Sequence, residues 1–186
     1  QIQMSNSLTS ELNINEGVYD WLSSANFKRL VFMYGGSSAG KSFTFKQWIV
    51  LEKILKEKNK VFGFFRKTNP ALKVSVYKFI KEFLDQINIK YHENKTDQVI
   101  TYGDNKIFFC SLDDPEKYKS TEFNYIWLEE FTEYTIEDFR RLYISLRRQS
   151  FDGRLNQMFC LWNPISKTHW IYTTFFMGKS AYKYHV

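Results

Sequence analysis

Two cysteines, three prolines and eight glycines among 186 residues leave this chain little with which to build a disulfide scaffold or a Pro/Gly-rich disordered tract. Cys110 and Cys160 both lie inside apolar runs, which predicts reduced core thiols, and no Cys/His spacing suggests a metal cluster. No apolar run is long enough to span a bilayer and no signal peptide is read, so the expected location is cytoplasmic. Internal repeats and low-complexity tracts are also absent. Residues 1–17 are expected to form a loose polar lead-in, with Gln1-Ile2-Gln3 before Met4 looking like a tag remnant. With no evident stop signal near Val186, the sequence is expected to be a piece of something longer.

What the chain does have is apolar and aromatic mass. At 44% hydrophobic and 19% aromatic, it is not a disordered chain, and its length suits one domain with a real core, expected over 18–186. The net charge of +6 favours an anionic partner, nucleic acid foremost.

The most specific stretch is "VFMYGGSSAGKSFTF". Gly35-Gly36-Ser37-Ser38-Ala39-Gly40-Lys41-Ser42 matches the Walker A phosphate-binding pattern, between an apolar run that reads as a strand and an amphipathic helical pattern. Glycines let backbone amides converge on phosphate oxygens with no Cβ in the way, and the following helix N-terminus favours the same charge. Lys41 is placed to reach the β- and γ-phosphates and Ser42 to offer its hydroxyl to Mg²⁺. The bland alternative, a Gly/Ser turn, does not explain the strand before the loop and the helix after it.

Further along, "KVFGFFRKT" reads as a strand, 69–87 as a helix opened by Pro70, and 98–112 as a hairpin about Gly103-Asp104-Asn105. The segment 124–131 reads as a buried strand, 136–149 as a helix, 156–164 as a strand and 167–176 as a last helix. Strands alternating with helices predict an α/β fold with a parallel core, whose ligand sites lie at the strands' carboxyl ends. Three such ends carry chemistry. "YIWLEE" places Glu129 and Glu130 after four apolar residues, the first suited to Mg²⁺ and the second to an attacking water. A helix-start acid pair is the alternative for these two residues in isolation. "CLWNP" puts Asn163 where an amide could touch the γ-phosphate, or could simply start an Asn-Pro turn. Arg66 ends the strand that follows the Walker A helix.

"YGGSSAGKS", "VFGFFRKT", "YIWLEE" and "LWNP", in that order, resemble the ATPase domain of phage terminase large subunits over roughly residues 18–178. The resemblance implies a P-loop NTPase of the ASCE type, a three-layer sandwich on a mostly parallel sheet, with an extra strand between the Walker A strand and the Glu129 strand. It implies ATP and Mg²⁺ as ligands, Ser42 and Glu129 at the metal, Glu130 as catalytic carboxylate, and Asn163 in the motif that couples hydrolysis to DNA movement. Double-stranded DNA, a portal protein, a small terminase subunit and a ring of like subunits are the implied partners, in the host cytoplasm on the procapsid, with no membrane. The C-terminal nuclease of such proteins has no counterpart after Pro164. Two departures stand out. Ser37, Ser38 and Ala39 occupy loop positions where some relatives carry Arg, and Lys119-Ser120 stands where others place a basic residue before the paired acids. Arg66, Arg147 and Arg148 are therefore candidate arginine fingers, Arg66 first because of its strand end. Phe27, Tyr19 and Trp21 could stack on a base, although core packing is the simpler expectation for aromatics here. The lysines at 53, 56, 58, 60, 73, 78 and 81 are read as mostly solvated helix-face residues, some able to touch DNA phosphates. The rival readings are a helicase-like ASCE enzyme, which should show further motifs in a second domain, and a nucleotide-binding module that hydrolyses nothing, which should have lost Lys41 or Glu130.

Overall fold

Asn15 starts the first helix by accepting the Val18 N–H on its side-chain oxygen at 3.1 Å, the usual way to satisfy an orphan donor of a helix N-terminus. That helix, α1 (Glu16–Ser24), therefore begins just inside the segment expected to be a loose lead-in. The computed structural model describes residues 14–25, 28–35, 41–163 and 165–177, with Lys41 described in its backbone only. The strand β1 (Leu30–Tyr34) follows, then α2 (Lys41–Trp48), which widens into a π-helical segment over Ile49–Ile54. Next come β2 (Val61–Arg66), α3 (Asn69–Leu72), a second π segment (Lys73–Tyr77) and α4 (Lys78–Gln86). The strands β3 (His92–Asn94), β4 (Val99–Tyr102), β5 (Asn105–Ser111) and β6 (Tyr125–Leu128) lead to α5 (Ile136–Ser145), β7 (Gln157–Trp162) and α6 (Trp170–Phe175).

The seven strands form one sheet in the order β1-β7-β6-β2-β5-β4-β3. The first five are mutually parallel, and β4 and β3 close the far side antiparallel. As the resemblance implied, β7 is inserted between the Walker A strand and the Glu129 strand. The inner strands β6 and β7 are buried along their whole length, which requires cover on both faces. Alternation supplies it. Phe64, Trp127 and Phe159 face a core shared with Val18 and Leu22 of α1, Trp48 of α2 and Ile80 and Phe83 of α4. Their sequence neighbours Phe65, Leu128 and Cys160 face a second core with Phe139 and Leu142 of α5 and Ile171 of α6. The result is the three-layer sandwich that the alternating pattern predicts. Both cysteines are free and buried, and burial pushes the Cys110 thiol up to about 12.

Some elements differ from the sequence reading. The helix over 69–87 is interrupted at Ser75, whose φ −111° and ψ −106° are not helical. Leu72, Val76 and Ile80 are nonetheless all buried in the same core, on both sides of that break. The edge strand β3 was invisible because three residues are too few to show alternation. The reading of Lys53 and Lys60 as solvated is corrected: both are 2% exposed. Lys53 pairs with Glu57 at 3.2 Å and Lys60 with Asp152 at 2.6 Å, so neither is available to a DNA backbone. Lys56, Lys58, Lys73 and Lys78 are exposed as expected.

Candidate active site

Parallel register decides what meets at the sheet's carboxyl edge. Tyr34 of β1 is opposite Trp162 of β7, Leu128 of β6 is opposite Cys160 of β7 and Phe65 of β2, and Arg66 is opposite Ser111 of β5. Gly35, Asn163, Glu129 with Glu130, and Arg66 therefore end neighbouring strands on one edge, although they are scattered through the sequence. Gly35 has φ 155°, within the range that favours glycine, and its N–H reaches the Trp162 carbonyl at 3.4 Å. Tyr34 stacks on Trp162 with ring centroids 5.5 Å apart, firming the ground beside the loop. Gly36, Ser37, Ser38, Ala39 and Gly40 lie outside the described residues. Ser42 is exposed in the first turn of α2.

The paired acids part company in space. Glu129 is 7% exposed, its N–H bonded to the Phe65 carbonyl at 3.3 Å. Its Oε1 lies 2.9 Å from Lys46 Nζ, and its Oε2 lies 3.5 Å from Arg66 Nη1. That Oε2 is buried and has no hydrogen-bond donor among the described residues. Glu130 is half-buried and adopts the left-handed conformation, φ 53° and ψ 56°, costing about 1–2 kcal/mol for a residue with a Cβ. The reversal is enforced downstream. Phe131 is fully buried among Trp162, Trp170, Phe139 and Tyr134, and a short 3₁₀ turn over Phe131–Glu133 leads to α5. Among the described residues the Glu130 carboxylate makes no ion pair, which leaves it available to a ligand or a water.

Arg66 faces two acids, Glu129 at 3.5 Å and Glu133 Oε1 at 3.4 Å, and is 13% exposed at its side chain. The arginine is thus both beside the candidate phosphate edge and tied to acids. Tyr134 is packed nearby; burial, more than its charged neighbours, holds its phenol well above the ordinary value, so it stays neutral. The rival arginines are elsewhere. The Arg148 N–H donates to the Phe123 carbonyl, just ahead of β6, and Arg147 pairs with Glu122 at 2.9 Å. From Asn124 to Glu129 the chain runs about 16 Å along the strand, so Arg147 and Arg148 sit at the opposite edge of the sheet. Lys119 is exposed and paired with Glu116 at 2.6 Å. Tyr19 hydrogen-bonds Glu52 and packs with Trp21 on the core around α2, while Phe27 lies outside the described residues. His169 caps α6 by accepting the Ile171 N–H at 3.3 Å; His92 is exposed on β3.

Among the described residues no three His, Cys, Asp or Glu converge as a protein-only metal cage. A serine hydroxyl and a carboxylate oxygen that lacks a hydrogen-bond donor among the described residues, with Arg66 Nη1 facing it at 3.5 Å, are hard oxygen donors. They fit Mg²⁺, which takes one or two protein ligands and completes its shell with water and phosphate. Sequence reasoning passed over Lys46. The signal was there: Lys46 follows Ser42 by one α-helical turn on the same face. No helix among the described residues is long and apolar enough to cross a membrane.

A family model described as phage terminase large subunit matches residues 28–185. Among solved structures, the large terminase of a thermophilic bacteriophage superposes with a TM-score of 0.71 at 18% identity, over 86% of this chain and 41% of that one. The same terminase in complex with ADP gives 0.68 at 19%, over 85% and 40%. The large terminase ATPase domain of Thermus phage P74-26 gives 0.66 at 14%, over 97% of this chain and 77% of that one. The bacteriophage Phi-29 genome packaging motor assembly gives 0.56 at 17%, over 84% and 49%. At these identities the superpositions establish a shared fold, that of terminase ATPase domains, and the chain spans about two fifths of the length of the first of these terminases. A search of curated proteins finds no match. With the family model spanning most of the sequence and the sheet order as described, the chain belongs to the phage terminase large subunit family.

Proposed function

We propose that this chain is the ATP-hydrolysing motor domain of a large terminase, driving double-stranded DNA into a capsid. The observation that carries the reading is the convergence of Gly35, Asn163, Glu129, Glu130 and Arg66 on one sheet edge, with Ser42 at the start of the adjoining helix. The complex of the thermophilic-phage terminase with ADP supports a nucleotide as the ligand of that edge.

In this reading the loop from Gly35 to Ser42 receives the phosphates on backbone amides, and Lys41 reaches the β- and γ-phosphates. Ser42 and Oε2 of Glu129, which has no hydrogen-bond donor among the described residues and is faced by Arg66 at 3.5 Å, would hold Mg²⁺, which when bound neutralises phosphate charge and draws the phosphates into a fixed geometry. Glu130, held out of the strand's regular conformation and free of ion pairs among the described residues, orients a water and takes its proton as the water oxygen bonds to the γ-phosphorus. The bond from that phosphorus to the bridging oxygen breaks, leaving ADP and inorganic phosphate. Arg66 supplies positive charge to the transition state from within the same chain, exchanging Glu129 or Glu133 for a phosphate oxygen. Asn163, exposed just past β7, senses whether the γ-phosphate is present. Portal protein, a small terminase subunit and further copies of the chain in a ring complete the motor. Its net positive charge and its exposed lysines suit a DNA backbone held without sequence readout.

The test is ATP turnover with and without double-stranded DNA, at several salt concentrations. The reading predicts hydrolysis that requires Mg²⁺ and is stimulated by DNA, with the stimulation falling steeply as salt rises. Nucleotide binding with no turnover under any of these conditions would favour the non-hydrolysing module instead.

A further inference from the structure

Lys46 is fixed from two sides. Its Nζ lies 2.9 Å from Glu129 Oε1 and 5.0 Å from the centroid of the Phe79 ring. That ring is itself held, edge-on to Phe43 at 5.2 Å and stacked with Phe83 at 5.8 Å. The two charged side chains are only 13% and 9% exposed, so the pair is largely shielded from water. Lys46 also shares a face of α2 with Ser42, one turn away. Glu129 has one more methylene, and one more rotatable bond, than an aspartate at the same strand end. Its carboxylate therefore needs an outside donor to fix where each oxygen goes.

We propose that Lys46 is a positioning residue for hydrolysis: it pins Oε1 of Glu129 to the helix that carries Ser42, so that Oε2, which has no hydrogen-bond donor among the described residues and only the longer 3.5 Å contact with Arg66 Nη1, is the one left for the metal's shell when Arg66 turns to a phosphate oxygen. The proposal rests on reading Glu129 as the metal carboxylate. Without Lys46, the cation that remains against Glu129 among the described residues is Arg66, which draws the carboxylate toward β2, away from α2. Outer-shell partners of metal ligands commonly matter in this way, because orientation is lost before the ligand itself is.

Two measurements test it. The first uses no metal and no nucleotide: thermal unfolding in EDTA of the wild-type chain, Lys46→Met, Glu129→Gln and the double variant. Each single change should lower Tm, on the order of 5 °C, and the double variant should fall no further than the worse single one, since both remove the same pair. Additive losses would overturn the pairing. The second is steady-state hydrolysis. Lys46→Met should lose about 10–100-fold in kcat and need more Mg²⁺ for half-saturation, with the KM for ATP moving less than about threefold. Lys46→Arg, which keeps the charge and the helix, should recover most of that kcat. If Lys46→Met matches an active wild-type chain in kcat and Mg²⁺ demand, the ion pair is only structural and the proposal fails alone. If the wild-type chain binds nucleotide but never turns it over, the reading of the site fails and takes the proposal with it.

Discussion

Glu129 and Glu130 are neighbours in the chain and live in different physical settings. The first ends a buried strand and is flanked by two cations; the second occupies a left-handed conformation in which a Cβ is crowded by the backbone. Such a conformation persists when the surroundings over-determine it, as buried Phe131 does here. Glu130→Gly should therefore fold at least as stably as the wild-type chain, about 1 kcal/mol better in urea unfolding, while losing hydrolysis. Destabilisation of that size in the opposite direction would mean the turn is not strained. At this scale the sequence was legible where a residue type is unusual for its place, as with two acids closing an apolar run. For Lys46 the spacing from Ser42 put it on the right helix face, but a lysine there looks the same whether it is solvated or pinned, and only the sheet register brings Glu129 to it. Lys53 and Lys60 went wrong for the same reason. Glu57 stands at the i,i+4 spacing of a helical ion pair with Lys53, but nothing in the sequence shows that this pair is buried, and Asp152 is distant in sequence from Lys60.

Elements were easier to read than contacts. Hydrophobic period and turn chemistry located β1, β2, the β4–β5 hairpin, β6, α5 and β7, since each is long enough or sharply enough bounded to show its pattern. The π segments were not visible, because inserting one residue per wide turn changes hydrogen bonding without changing residue type. The helix after the paired acids shows how an element end serves the site. Thr135 Oγ1 accepts the Asp138 N–H at 3.1 Å, and Asp138 Oδ2 accepts the Thr135 N–H at 3.0 Å, a capping box. Asp138 also receives Lys67 Nζ at 2.9 Å, tying α5 to the residue that follows Arg66. Thr135→Ala should cost about 1 kcal/mol of stability, read in urea denaturation, with a smaller loss in turnover than any change at Glu130. A stability loss near zero would show that the Lys67 contact alone holds the helix start.

For the molecule as a whole, the sheet separates its two edges by task. At the amino edge the fully buried Glu57 collects Lys53 at 3.2 Å, Arg154 at 2.9 Å and Tyr125 Oη at 2.6 Å, a satisfied cluster that ties α2's extension to β6 and the loop before β7. At the carboxyl edge, Glu129 Oε2 has no hydrogen-bond donor among the described residues and only Arg66 at 3.5 Å, and the left-handed Glu130 makes no ion pair among them. Arg147 and Arg148 belong to the amino edge, away from the paired acids of their own chain, whereas Arg66 is beside them. The measurement that tests this most directly is Mg²⁺-dependent ATP hydrolysis per subunit, across a range of protein concentration, for the wild-type chain and Glu130→Gln. A rate that vanishes in Glu130→Gln with nucleotide binding intact, and that does not depend on concentration in the wild type, is the predicted result, with Arg66 acting in cis. Unchanged hydrolysis in Glu130→Gln would contradict the assignment of the catalytic carboxylate, and a wild-type rate that climbs with concentration would move the finger to a neighbouring subunit.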